Sequence, residues 1–234
     1  KVEKRFSGGF TLLTSYSFSK AIGDTCGNAA AGNTTGCGYQ DVRNLRLERS
    51  IDNQDIPHRF VASGIYDLPF GRGRKWGSAM PAAFDALAGG WSLGSIVVWT
   101  SGEPYSITVS GNPANIGDRL IVNRPNIVGD PAAGERTLDR DFNIAAFVPN
   151  NQYEIGNAGR NIMRNRSEFN WDFSALKNFE VTERLRLQCR FEGFHFSNTP
   201  RFGQPAAVIG ISGFGRITGA GTPRNLQFGA KLSW

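Results

Sequence analysis

The chain has 234 residues, 29 of them Gly, with 12% aromatic content and a formal charge of +6. Ala, Leu, Glu and Lys almost never recur at helical spacing, which excludes a helical bundle and leaves strands separated by Gly, Asn, Pro and Ser clusters. No apolar run approaches the ~18 residues of a membrane-spanning helix, and a mean hydropathy of -0.31 is compatible with strands whose alternating faces average out.

The first residues, KVEKRF, contain no initiator Met and no leader, and are read as the start of the C-terminal part of something longer. The first predicted strand is GGFTLLTSYSFSKA, with Phe10, Leu12, Thr14, Tyr16 and Phe18 on one side and Thr11, Leu13, Ser15, Ser17 and Ser19 on the other. A long polar connection follows, from about Ile22 to Ile56. It holds Cys26 and Cys37, placed as a loop-closing disulfide would be in an oxidising compartment. It also holds the charged run RNLRLERSIDNQD, which reads as a solvated loop face.

The second strand, HRFVASGIYDLP, alternates less cleanly because Val61 and Ile65 oppose Phe60, Ala62 and Tyr66. The stretch up to Gly90 is longer than a hairpin needs and predicts a helical turn around Ala82 to Leu87. In the third strand Trp91, Leu93, Ser95, Val97 and Trp99 share a face. Its terminal Trp residues lie about 26 Å apart at strand rise, near the height of the apolar band of an outer-membrane barrel. Residues 102–167 are irregular and rich in Pro, Asn and Gly. The fourth strand, EFNWDFSALKNF, sets Phe169, Trp171, Phe173 and Ala175 against Asn170, Asp172 and Ser174, and EVTER then turns.

The fifth strand, LRLQCRFEGFHF, places Leu185, Leu187, Cys189, Phe191 and Gly193 on one face and Arg186, Gln188, Arg190 and Glu192 on the other. Cys189 there is a small apolar filler. In the sixth strand Leu226, Phe228, Ala230, Leu232 and Trp234 alternate with Asn225, Gln227, Gly229, Lys231 and Ser233. A bulky aromatic beside the terminal carboxylate suits a membrane interface, where the ring sits at headgroup level and the chain end stays in water. The alternation by itself is shared with a half-buried sheet of a soluble sandwich.

Connections after the first, third and fifth strands are long and the one after the fourth is short, as expected when one barrel rim faces outside and the other carries tight turns. The connection after the second strand breaks that rule. Basic residues are scattered rather than clustered with aromatics, which argues against nucleic acid as a partner. No GxSxG elbow is present, and GISGFGRITGAG has neither the lysine of a phosphate loop nor dinucleotide-fingerprint spacing. The cysteine and histidine spacing matches no zinc site. The chain is therefore read as non-enzymatic, without metal or cofactor, and the glycines of that run as aids to a turn into the last strand.

In order, DIPHRFVASGIYDLPFGRGRKWG, GGWSLGSIVVWTSGEPYSI, FNIAAFVPN, NWDFSALKNF, LRLQCRFEGFHFSNTPRFG and FGRITGAGTPRNLQFGAKLSW resemble the C-terminal barrel of TonB-dependent outer-membrane receptors. The resemblance is closest to the Oar-like group with a carboxypeptidase-regulatory-like N-terminal domain. It implies an all-β, antiparallel transmembrane barrel of about 22 strands, of which this chain supplies about the last six, with long outer loops. It also implies energy-dependent uptake of a scarce solute across the outer membrane of a Gram-negative bacterium. The plug and N-terminal domains would lie outside residues 1–234.

Partners implied are outer-membrane lipid, the plug of the same chain, TonB through the N-terminal part, the barrel-assembly machinery and a solute of unknown identity. Gln227, Gly229, Leu232 and Trp234 match the C-terminal assembly signal, although that signal usually ends on Phe. Arg186, Gln188, Arg190 and Glu192 would form a lumen-facing ladder, and Leu185, Leu187, Phe191, Leu226, Phe228 and Leu232 would face lipid. A non-transporting barrel or adhesin, and a soluble β-sandwich carbohydrate-binding module, are the alternative expectations.

Overall fold

In a computed structural model of the chain, residues 1–24, 38–41, 43–116, 122–180, 182 and 185–234 are described. Seven strands form one antiparallel sheet in chain order: β1 (Val2–Ser7), β2 (Phe10–Phe18), β3 (His58–Asp67), β4 (Trp91–Thr100), β5 (Glu168–Glu180), β6 (Arg186–Phe194) and β7 (Asn225–Ser233). The expectation was about six strands. The additional one, β1, has charged residues at successive sequence positions, which leaves no apolar period to read. It is held by pairing to β2 through Val2–Thr14, Glu3–Leu13 and Lys4–Leu12. The sheet does not close, and β1 and β7 are its edges.

Each strand pairs only with its neighbours in the chain, so the connections alternate between two rims. One rim carries the turn at Gly8–Gly9, with φ of +73° and +82°, the turn after β5, and the chain end after β7. It also carries residues 68–90, which include the short helix α1 (Ala82–Ala88). The other rim carries the described residues of the connections 19–57, 101–167 and 195–224.

Those three long connections fold together into a cap over the rim. Two-residue strands stitch it: Pro104–Tyr105 to Met163–Arg164, Asn126–Ile127 to Phe147–Val148, Ile22–Gly23 to Ser50–Ile51, and Thr108–Val109 in parallel to Val208–Ile209. The buried apolar cluster of the described residues lies here: Tyr105, Ile107, Phe142, Ala146, Phe147 and Ala207, with Phe214 packed against it. Phe142 meets Phe147 and Phe214 edge-on, at ring-centroid distances of 5.8 and 5.2 Å. The described part of residues 102–167, irregular in sequence, thus supplies most of a core outside the sheet, shared with Ala207 and Phe214 of the third connection.

Candidate functional site

The register sorts the sheet into two chemically different faces. Across β2 to β7, cross-strand partners line up as Phe10, Tyr66, Leu93, Ala175, Phe191 and Phe228. Their face also carries Tyr16, Phe60, Trp99, Trp171, Phe173, Leu187 and Leu232. Its one Lys, Arg, Asp or Glu, among the described residues from β2 to β7, is Lys177 at the tight-turn end of β5. Aromatic residues gather at both ends of this face. Phe18 and Trp99 flank His58 at the cap end, where Tyr16 and His58 are hydrogen-bonded at 2.8 Å. Trp91 and Phe179 hold the other end.

Nothing within the described residues covers this apolar face as a second sheet would. Phe228 is 82% exposed and Trp234 91%. The ring of Phe196, just beyond β6, folds back onto it, 5.1 Å from Trp171 and 5.2 Å from Phe173. Gly193 makes room for that ring, since a Cβ there would meet it at 2.5 Å.

The opposite face carries Arg186, Gln188, Arg190 and Glu192 from β6 with Lys231, Gly229 and Gln227 from β7. Arg190 lies 3.5 Å from the Glu192 carboxylate, which also accepts a hydrogen bond from Gln227. Arg186 pairs across to Glu180 in the β5 register. Asp172, Ser174, Ser63 and Thr11 continue the polar surface, and a groove of about 540 Å³ lies along it. This face is not uniformly polar, because Leu13, Ile65, Ile96 and Phe194 also line the groove.

Leu185, expected among the lipid-facing residues, stands immediately before β6, where its N–H donates to Thr182 Oγ1 at 3.0 Å and its carbonyl accepts the Thr182 N–H at 3.1 Å. Gln227, Gly229 and Leu232 lie on β7, with Trp234 just past its end. Cys26 and Cys37, expected to be joined, fall outside the described residues. Cys189 is a free thiol on the apolar face.

The run RNLRLERSIDNQD is a solvated loop face only in part: Arg43, Arg46 and Arg49 are exposed, whereas Glu48 and Asp55 are buried. Glu48 is buried in a two-point pair with Arg124, at 2.8 Å (Nη1 to Oε2) and 3.0 Å (Nη2 to Oε1). Asp55 is buried against Arg164. Arg124 also donates from Nε to the Ala158 carbonyl at 2.9 Å, and Gln40 N–H donates to Glu48 Oε1 at 2.7 Å. Arg160 reaches Gly23 O at 2.8 Å and Ser50 Oγ at 2.9 Å. Burial pulls its guanidinium below the ordinary arginine value, against the opposing pull of Glu48 and Asp52. Asp141 is clasped by Arg136 and by Arg166, whose Nε lies at 2.7 Å.

The Glu48–Arg124, Asp55–Arg164 and Arg160 contacts join the connection between β2 and β3 to that between β4 and β5. Charges leave water here because each meets an opposite charge and further hydrogen bonds. Gly156 allows the close approach, since a Cβ there would lie 2.0 Å from Arg124 O. Sequence reasoning missed the network. Its partners stand 76 and 109 positions apart, and matched charges in paired loops were the one available signal.

Tyr105 sits in the cap core with no hydrogen-bond partner for its hydroxyl among the described residues. Burial pushes its phenol well above the ordinary value, Asp141 adds to the rise, and Arg136 opposes it. An acid whose folded-state pKa is raised contributes full stability below its unfolded value and loses it above. Cap stability should therefore fall beyond about pH 10, by up to about 1.4 kcal/mol per pH unit. Tyr105→Phe should abolish that slope and leave neutral-pH stability unchanged or about 1 kcal/mol higher. Urea unfolding followed at pH 8 and pH 11 checks both.

No group of three or more His, Cys, Asp or Glu side chains suited to a metal ion is found among the described residues. No helix among them is long and apolar enough to cross a membrane. No curated protein and no solved structure matched the chain. A family profile described as an outer membrane beta barrel domain matches residues 1–227. With two-faced strands, tight turns on one rim and a folded cap on the other, the chain belongs to the outer membrane beta barrel domain family, a wall segment of a Gram-negative outer membrane.

Proposed function

We propose that this chain is the barrel wall and outer-loop segment of a TonB-dependent receptor that takes up a scarce solute with energy supplied from the inner membrane. The observation that carries the reading is the cap. Its three connections are fastened to one another by buried ion pairs and a common apolar core, as a preorganised solute-gathering surface requires. The resemblance of the ordered segments to Oar-like receptors supports the same reading. In it, the apolar face meets lipid, and the Arg186, Gln188, Arg190 and Glu192 ladder faces the lumen and a plug. The unpaired edges of β1 and β7 join further strands of the same protein. Gln227, Gly229, Leu232 and Trp234 engage the barrel-assembly machinery. The reading assigns no catalysis.

Two measurements test it. Reading the gene upstream of Lys1 should reveal a plug and a TonB box. Cells carrying the intact gene should then accumulate a solute from a labelled extract of the native medium, and lose that accumulation when TonB is deleted. Absence of the plug, or uptake indifferent to TonB, would leave a non-transporting barrel or adhesin in its place.

A further inference from the structure

The connection from Leu68 to Gly90 is the exception among the tight-turn rim's connections, and its side chains explain its length. In α1, Phe84 and Leu87 stand 65% and 74% exposed. Beside them Phe70 and Trp76 are also exposed, with ring centroids 5.2 Å apart. Four large apolar side chains in one short connection are poorly placed for water. Arg72, Arg74 and Lys75 lie between the two aromatic residues in sequence.

The connection is one unit. Asp85 Oδ1 accepts the Arg72 N–H at 2.7 Å and so ties residues 70–76 to the helix. Gly71 makes that fit possible. Its φ is +119°, and a Cβ would lie 2.8 Å from both Gly89 Cα and Asp85 Oδ1.

The unit is fastened to the apolar face of the wall rather than to the polar one. Trp91 Nε1 donates to Leu87 O at 2.9 Å, and Lys177 Nζ donates to Gly89 O. Lys177 runs over the rings of Trp91 and Phe179, 5.5 and 5.0 Å from their centroids. A lone lysine on an apolar strand face thus turns its ammonium towards the rim, as snorkelling side chains do. Apolar surface therefore continues from the strands, past the aromatic end at Trp91 and Phe179, onto α1.

We propose that residues 68–90 form an interfacial anchor on the inner leaflet of the outer membrane. Phe84, Leu87, Phe70 and Trp76 enter the boundary between headgroups and acyl chains, and Arg72, Arg74 and Lys75 meet phospholipid phosphates. Apolar residues beside a cationic cluster are the composition of segments that lie in the membrane plane. Continuity with the lipid-facing wall selects this chain's own membrane as the occupant. The proposal rests on the membrane barrel and is independent of solute uptake.

The test uses the full-length protein in phosphatidylethanolamine and phosphatidylglycerol nanodiscs, with the native cysteines replaced and nitroxides placed singly through Leu87→Cys, Val97→Cys and Asp139→Cys. Val97 lies on the apolar face of β4 and reports insertion, and Asp139 lies in the cap and reports water. The Leu87 label should match Val97 in favouring oxygen over a water-soluble nickel relaxant. Replacing Arg72, Arg74 and Lys75 with Ser should weaken the preference for phosphatidylglycerol about fivefold per cation removed. A Leu87 label as nickel-accessible as Asp139, with Val97 in lipid, overturns the anchor and leaves the barrel intact. A water-exposed Val97 overturns both.

Discussion

Glu48→Ala should unfold the cap while leaving the strand wall in the membrane. The substitution leaves the Arg124 guanidinium charged with its side chain only 2% exposed. It also removes the acceptor of the Gln40 N–H. Deleting one member of a buried pair costs about 3–5 kcal/mol, because the survivor's desolvation is no longer offset. That exceeds what a cap stitched by two-residue strands can absorb locally, since Arg124 also holds the Ala158 carbonyl and Leu47 O. Limited proteolysis of the full-length protein in membranes should cut within residues 38–56 and 122–166. Gel mobility of the unheated protein should still report a folded barrel.

Two comparisons separate the buried charge from mere contact loss. Asp139 pairs with Arg216 at 2.6 Å, but with the two side chains 78% and 55% exposed. Asp139→Ala should therefore change cap stability by no more than about 1 kcal/mol. Combining Glu48→Leu with Arg124→Met should restore protease resistance, because an apolar pair of similar volume removes both desolvation costs. A cap as resistant in Glu48→Ala as in the unaltered protein would show that this pair does not hold it together.

The contrast between wall and cap also explains what could be read before coordinates. In β6 and β7 the period of two survives because each strand separates two environments, so Leu187 faces Leu232 and Phe191 faces Phe228, as their alternation implies. The helical turn near Ala82 is local and was equally legible. Strand β1 was not, because its sequence carries charges at consecutive positions and shows no apolar period. The cap was least legible. Its order comes from contacts between residues as distant as Gly23 and Arg160, and from strands too short to show any period. The charged run around Glu48 has the composition of a solvated loop and is exposed at Arg43, Arg46 and Arg49, and only the far side chains of Arg124 and Arg164 draw Glu48 and Asp55 into the interior.

Val97→Arg and Val98→Arg, adjacent in one strand, should give opposite outcomes. The register puts Val97 beside Trp171 and Ala62, and Val98 beside Asn170 and Val61. Both are half-buried β-branched residues of similar volume, so strand propensity and loss of a valine contribute equally to the two variants. Only the medium beyond the side chain differs. If the Trp171 face meets hydrocarbon, an arginine at Val97 near mid-strand should cost about 2–4 kcal/mol, whereas one on the lumen side is largely tolerated. The expected readout is a lowered urea midpoint for Val97→Arg in folding into vesicles and slow assembly in cells, with Val98→Arg close to the unaltered protein. Equal loss in both would mean that steric fit within the strand, and not the surrounding medium, sets the cost. The reverse order would place lipid on the side of Asp172 and Arg190 and invert the wall.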